Sequence, residues 1–505
     1  MAISRQRVRS DSALPTIDRP QATYYNPRMI IGIRRFSLWY TGCGWILLVC
    51  LVVSGCSSAS RAAQEIIPAV SAPSEDDDTR VGREFRREAR KQLTFINDPE
   101  VEMYVDGVGR RILTALGPQP FDYRYFVINQ PVLNAFAVPG GSIYVYSGLL
   151  DHAQSTDQLA AVMAHETTHV AKRHMARMSG MDPIALLGLL GAMLAARSSA
   201  GGAQAAAVVS QGIAATRQIA YTRQLELEAD TLGLKYMSEA GYDPRAMVSF
   251  QKIMLKEQTL NPIDVPPYLL DHPPSQERVA NAELLIRTAK LNDPMPAATD
   301  PLKKIQTLIR LENHEADKVI AEQKALVGES PNNGEPYQLL GIALYSKGMW
   351  QESRRNLEQA LALNPKSPGI YRDLGRVYTQ LNDYSSAHAA FDRALALGPQ
   401  DVLAYLYLGD MFEKQGDLGS AAGAYLNASN IAPLWDKPPY RLSVVYGKLN
   451  RLGDAYYYHG RSLLLQDDDQ RAAADFEKAV KVLGDKSPRG QLIKEELAAL
   501  RARRR

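Results

Sequence analysis

The sequence predicts a mainly α chain with a small β-sheet, arranged as a globular domain followed by an α-solenoid. Three observations lead there. His165-Glu166-Thr167-Thr168-His169 sits inside a run of good helix formers spanning residues 159–171. Two short apolar or alternating stretches, 123–129 and 142–146, flank the turn Pro139-Gly140-Gly141. From residue 300 a pattern with a 34-residue period takes over. A chain of 505 residues is too long for one core, and 46% hydrophobic with 22% charged residues is a globular composition.

The first segments read as export sequence. Residues 1–28 are polar and patternless, an N-terminal extension that is disordered or not native to the protein. Residues 29–56 read as a signal peptide: Arg34 and Arg35 precede the apolar run 45–53, which is too short for a confident membrane span. Val53-Ser54-Gly55-Cys56 resembles a bacterial lipobox, which implies lipidation of Cys56; cleavage nearby to a soluble periplasmic protein is the alternative. All three cysteines (Cys43, Cys50, Cys56) lie in this segment, so no disulfide is expected in the exported chain. Seven arginines against two aspartates in residues 1–55 account for +5 of charge. The formal +3 of the whole chain therefore leaves −2 elsewhere, which argues against a nucleic-acid surface. Residues 57–79, Ala/Ser/Pro-rich and then acidic, suit a tether. Residues 81–116 read as helix, with Val101, Val105, Val108 and Ile112 at helical spacing.

The motif at 165–169 carries the chemistry. Positions i and i+4 of a helix share a face, so His165 and His169 can converge on one metal ion. Glu166 is rotated by about 100°, beside the metal, where a carboxylate can act as general base and then as general acid. Zinc suits imidazole and carboxylate donors, but needs a third protein ligand and an open position. His174 falls about 140° off the ligand face of a continuing helix and reads as a surface or supporting residue. Glu226 and Asp230 share a face at i, i+4, with Glu228 pointing away. Glu226 is the candidate ligand, and Asp230 the candidate partner for the second N–H of a ligating histidine. A solvated acidic helix is the plain alternative.

The run 165–174, followed by Glu226-x-x-x-Asp230, resembles gluzincin metalloproteases of the HtpX and CAAX-prenyl-protease type. Residues 134–150 resemble the segment before that family's active-site helix, so the likeness covers roughly 80–290. It implies a gluzincin-type metalloprotease domain over 80–295. One Zn2+ per chain would be held by His165, His169 and Glu226, with Glu166 as general base. It also implies that the strand after Pro139-Gly140-Gly141 lies along the cleft, where an exposed edge could hold an extended peptide. Residues 178–211 include the apolar run 184–196, read as a flap, a membrane-surface contact or a buried hairpin, with Gly201-Gly202 as a hinge. Asp271-His272-Pro273 resembles the His-Pro segment of the BepA-type subgroup of periplasmic proteases. There the histidine is proposed as a reversible fourth ligand; the matching residue is His272, with Arg278 a candidate active-site contact. Ser275 departs mildly from the threonine often found there.

The 34-residue pattern is the tetratricopeptide signature, expected over 300–486 with a basic tail at 487–505. Tyr337, Leu340, Gly341, Leu357, Ala360 and Pro365 recur as Tyr371, Leu374, Gly375, Phe391, Ala394 and Pro399. They recur again as Tyr405, Leu408, Gly409, Tyr425, Ala428 and Pro433. Gly460, Ala472, Phe476 and Ala479 mark a last copy, displaced by one extra helix around 438–449; residues 301–333 read as a degenerate opening repeat. Such stacks bind protein segments rather than do chemistry. The whole reading is a zinc endopeptidase of the periplasm, anchored to the outer membrane by Cys56. By resemblance its clients are unfolded or stalled outer-membrane proteins and its partner the β-barrel assembly machinery. A non-proteolytic chaperone or scaffold with a His-blocked site is the competing reading.

Overall fold

The computed structural model describes residues 74–179, 223–260, 266–295 and 300–502. The expected signal segment, Cys56 and the apolar run 184–196 with its Gly201-Gly202 hinge lie outside them. Among the described residues no helix is long and apolar enough to cross a membrane.

Helix α1, Glu75–Gln92, starts where a capping box forms. The Ser74 side chain accepts from the Asp77 amide, and the Asp77 carboxylate accepts from the Ser74 amide. The acidic run Glu75, Asp76, Asp77 and Asp78 occupies the first turn, where the helix dipole favours negative charge. The tether expected up to residue 79 therefore gives way to helix at 75. The single helix expected over 81–116 is two: α2, Pro99–Leu116, begins afresh because Asp98 caps it and Pro99 donates no N–H. Between them Ile96 N–H donates to the Val127 carbonyl at 2.9 Å.

Strands β1 (Arg124–Ile128), β2 (Ala135–Val138) and β3 (Ser142–Tyr146) form a sheet in the order β1-β3-β2. β2 and β3 are an antiparallel hairpin, turned by Gly140 and Gly141 at φ 79° and 95°, whereas β1 runs parallel to β3. The strand after the turn is thus the middle one, not an exposed edge; β2 is the edge that lies beside α4. Alternation reveals a strand but not its partners.

After α3 (Ser147–His152), α4 (Thr156–Ala171) runs buried from Gln158 to Val170, capped by Ser155. Around it stand α5 (His174–Ser179), α6 (Arg223–Glu239), α7 (Arg245–Leu260), the short α8 (Pro267–Asp271) and α9 (Gln276–Thr288). One apolar cluster joins Val105, Leu149, Met163, Leu234, Met254 and Leu269. It continues into Ile305, Leu308, Ile309 and Ile342 of the repeats.

The repeats stack as α10 (Leu302–Glu312) and α11 (Ala316–Glu329), α12 (Gly334–Ser346) and α13 (Trp350–Leu363), α14 (Pro368–Gln380) and α15 (Tyr384–Leu397). They continue as α16 (Val402–Gln415) and α17 (Leu418–Ile431), then α18 (Lys437–Lys448), α19 (Leu452–Leu465), α20 (Asp469–Leu483) and α21 (Pro488–Ala502). Close approach explains the repeated glycine. A Cβ on Gly341, Gly375, Gly409 or Gly460 would lie 2.5–2.6 Å from Leu357, Phe391, Tyr425 or Phe476 respectively. Gly460 meets Phe476 as the others meet their partners, which makes α19 and α20 the last such pair and α18 the inserted helix. The basic tail expected from 487 is helical to Ala502, because Ile493, Leu497 and Leu500 form a buried stripe.

The repeats grip the first domain through buried charge. Glu100, at the start of α2, meets Lys304 at 2.9 Å, Arg372 at 3.1 Å and Arg376 at 3.9 Å; Lys304 also meets Asp373, and Arg372 meets Asp401. Arg376 is stacked between Tyr345 and Tyr407. Burial alone would raise the Glu100 carboxyl, but Lys304, Arg372 and Arg376 hold it down at about 2. Arg86 on α1 forks onto Asp467, in the turn between α19 and α20, at 2.7 and 2.8 Å, and donates to the Ser142 hydroxyl of β3 at 2.8 Å.

Candidate metal centre

Helix α4 presents its two histidines one turn apart because nothing interrupts its i→i−4 ladder from the Ser155 cap onward. His165 Nε2 and His169 Nε2 are 2.9 Å apart. From α6, Glu226 Oε2 lies 3.4 Å from His165 Nε2, and Glu226 Oε1 lies 3.3 Å from His169 Nε2. His272, at the end of α8, brings Nδ1 to 3.3 Å from His165 Nε2 and 2.9 Å from Glu226 Oε1. All four are buried, and one donor atom from each lies within 4.8 Å of the others.

The residues around this centre orient it. Asp230 Oδ1 stands 2.9 Å from His165 Nδ1, which leaves Nε2 free to face the centre. Arg278 donates to both Asp230 oxygens at 2.7 and 2.8 Å and to the Pro273 carbonyl at 3.2 Å, and pairs with Glu226 Oε2 at 2.6 Å. One guanidinium thus fastens the carboxylate at the centre, the carboxylate behind it and the loop that follows His272. Burial works against the Asp230 charge, and Arg278 overrides it, holding the carboxyl at about 2.

Glu166 is fully buried, its Oε1 3.4 Å from His272 Nε2, and neither oxygen has a hydrogen-bond partner among the described residues. Burial pushes its carboxyl up, against the pull of His272 and His165. The donor set fits a divalent cation. With neutral imidazoles, the three carboxylates Glu166, Glu226 and Asp230 are set against one fixed cation, Arg278, and the imidazole nitrogens of His165, His169 and His272 converge on one another and on Glu226.

The sequence-level candidates His165, His169, Glu226, His272, Asp230, Arg278 and Glu166 are thus brought together, while Cys56 lies outside the described residues. Of the two places expected for His174, the surface and a supporting position, it takes the second: it is fully buried, with Nδ1 2.9 Å from His169 Nδ1 and Nε2 3.3 Å from Glu228. The helix does not continue as the angle assumed. It ends at Ala171, and Arg173 at φ 51° folds His174 back behind His169. Tyr268 was not foreseen. It is buried, its ring 4.8 Å from that of His272, and the i, i+4 spacing of Tyr268 and His272 is the signal that could have found it.

Residues 99–286 match peptidase family M48, and residues 336–400 and 372–433 match tetratricopeptide repeats. The beta-barrel assembly-enhancing protease of Escherichia coli (strain K12) is 35% identical over 208 residues, covering 40% of this chain and 42% of that protein. The Yersinia pestis protein of the same name is 26% identical over 341 residues, 63% of this chain and 69% of that one. Mitochondrial metalloendopeptidase OMA1 of Schizosaccharomyces pombe is 34% identical over 147 residues, 28% of this chain and 41% of its own length. The chain therefore spans less than half the length of the first of these relatives.

Proposed function

We propose that this chain, an M48 peptidase domain followed by tetratricopeptide repeats, is a latent zinc endopeptidase of the bacterial envelope that acts on outer-membrane β-barrel proteins. The observation that carries the reading is the convergence of His165, His169 and Glu226 beside Glu166 within the segment matching that family. Those three residues would hold one zinc ion, which when bound supplies Lewis acidity toward water and the scissile carbonyl. Glu166 accepts a proton from the attacking water and delivers it to the leaving amine. Asp230 and Arg278 keep His165 and Glu226 oriented. An extended client would run along β2, the edge strand beside α4.

His272 is the latch. Its Nδ1 is 2.9 Å from Glu226 Oε1 and its Nε2 3.4 Å from Glu166 Oε1, which supports an imidazole that would take the place of the attacking water and cover the base as well. Domain 80–295 does the chemistry; the repeats over 300–486 bring unfolded or stalled β-barrel proteins to it. The name of the relatives, beta-barrel assembly-enhancing protease, supports that client class and the assembly machinery as partner. A periplasmic location on a lipid anchor at Cys56 completes the proposal; Cys56→Ser should abolish lipid labelling, and unchanged labelling refutes the anchor.

The deciding experiment is degradation of an unfolded outer-membrane barrel protein by the purified exported chain, as wild type, Glu166→Gln and His272→Ala, with zinc measured in each. Cleavage should vanish in the first variant and rise in the second. Full zinc occupancy with no cleavage in any variant favours a scaffold whose site His272 keeps closed.

A further inference from the structure

Beside the metal centre, and not used by the chemistry above, α7 and α4 wall an apolar pocket. Met247, Phe250 and Met254 from α7 and Val162 from α4 line it, together with His165. Its free space is only about 20 Å³, and Tyr268 and Leu269, 6% and 1% exposed, form part of its lining from the same short helix that carries His272. The Tyr268 ring packs on Phe250 on one side and on His272 on the other, at 6.3 and 4.8 Å between centroids. Gln251 also lines the pocket. It is 7% exposed, and neither atom of its side-chain amide finds a hydrogen-bond partner among the described residues. A buried amide without partners is a standing cost to the closed state, and such groups call for a reason. The resident tyrosine does not supply one.

We infer that this pocket is the subsite for a client side chain next to the scissile bond, that Tyr268 is its built-in occupant, and that Gln251 selects for tyrosine. The inference deepens the protease reading and rests on it. When the segment 267–273 withdraws His272 from the centre, it withdraws Tyr268 with it, so the position of attack and the side-chain pocket open together. An aromatic ring is the shape the pocket already holds, between Phe250 and two methionines that adapt to what they touch. A client tyrosine that goes deeper than Tyr268 places its hydroxyl on the Gln251 amide and satisfies it. Transmembrane β-strands are rich in such residues, since their outward faces end in aromatic girdles.

The test uses zinc-loaded His272→Ala and His272→Ala/Gln251→Leu proteins on one extended peptide, with a single position set to Tyr, Phe or Ala and cut sites read by mass spectrometry. Cleavage next to Tyr should exceed that next to Phe about tenfold, the worth of one hydrogen bond, and Ala should be slowest. Gln251→Leu should erase the Tyr preference over Phe while keeping Phe above Ala. A second measurement needs no turnover: hydrogen exchange of residues 267–273 in metal-free wild-type protein. Excess N-acetyl-tyrosinamide should speed that exchange, and N-acetyl-alaninamide should not. A Tyr preference that survives Gln251→Leu, or equal cutting at Tyr and Ala, overturns the subsite. If no peptide is cut by any variant the protease reading falls, and the exchange comparison alone decides the pocket.

Discussion

Two of the buried charge clusters among the described residues are built to opposite ends. At the junction with the repeats, Glu100, Asp373 and Asp401 meet Lys304, Arg372 and Arg376 in mutual ion pairs, three charges of each sign. At the metal centre, the carboxylates Glu166, Glu226 and Asp230 are matched by one fixed cation, Arg278, which pairs with Glu226 and Asp230, the other partners being imidazoles, and both Glu166 oxygens are left without a hydrogen bond. Closed charge sets hold structure together, because each desolvated group recovers its loss from a neighbour. An open set is stable only with something added, and the deficit at α4 is of the size a divalent cation fills. Burial alone does not distinguish glue from chemistry; the balance of charge does.

The comparison breaks first at Glu166. Glu166→Gln should lower client cleavage by about a thousandfold, the usual worth of a general base, with metal content and thermal stability held within error. A variant that loses metal or unfolds would place Glu166 with the glue. Glu100→Gln is the counterpart. It leaves three buried cations short of a partner and should lower stability by about 3–5 kcal/mol in denaturant titration, with the metal centre intact. The sign of its pH dependence follows from the depressed carboxyl. The stabilisation is complete above the unfolded value of 4.5 and fades as the pH falls toward about 2, so wild type should lose about 3 kcal/mol of its advantage over Glu100→Gln across that interval. Chelation sharpens the contrast from the other side. Removing the ion should cost about 3 kcal/mol at a hundredfold excess of metal over its dissociation constant, restored by zinc, in wild type and Glu100→Gln alike. The smallest effect belongs to packing: Gly409→Ala drives a methyl to 2.5 Å from the Tyr425 ring and should cost about 1–3 kcal/mol without altering metal content.

The metal centre was more legible in the sequence than its surroundings, for a physical reason. His165, Glu166 and His169 are fixed relative to one another by a single helix, as are Glu226 and Asp230, and helical spacing is local information. The same locality made the repeats plain, since each glycine meets its bulky partner 16 residues on, at Gly341 and Leu357 as at Gly460 and Phe476. What could not be read was set by tertiary pairing. The register of β1 on β3 joins segments 18 residues apart with no turn between them to declare it. Lys304 and Arg372 look like ordinary surface cations until Glu100, more than 200 residues earlier, is brought beside them. Spacing alone left His174 open between the surface and a supporting place, because one left-handed residue, Arg173, invalidates any angle carried past Ala171.

The pairing of Arg86 with Asp467 also has a consequence in time. The two residues are 381 positions apart, and α1 holds its place against Ser142 through that same guanidinium. Synthesis at ~5–20 residues per second separates their appearance by roughly 20–80 s. Throughout that interval α1 waits for a turn that has not yet been made. The N-terminal domain is therefore kept incomplete until most of the repeat array has been made, and a chain broken off before residue 467 leaves α1 without its clasp.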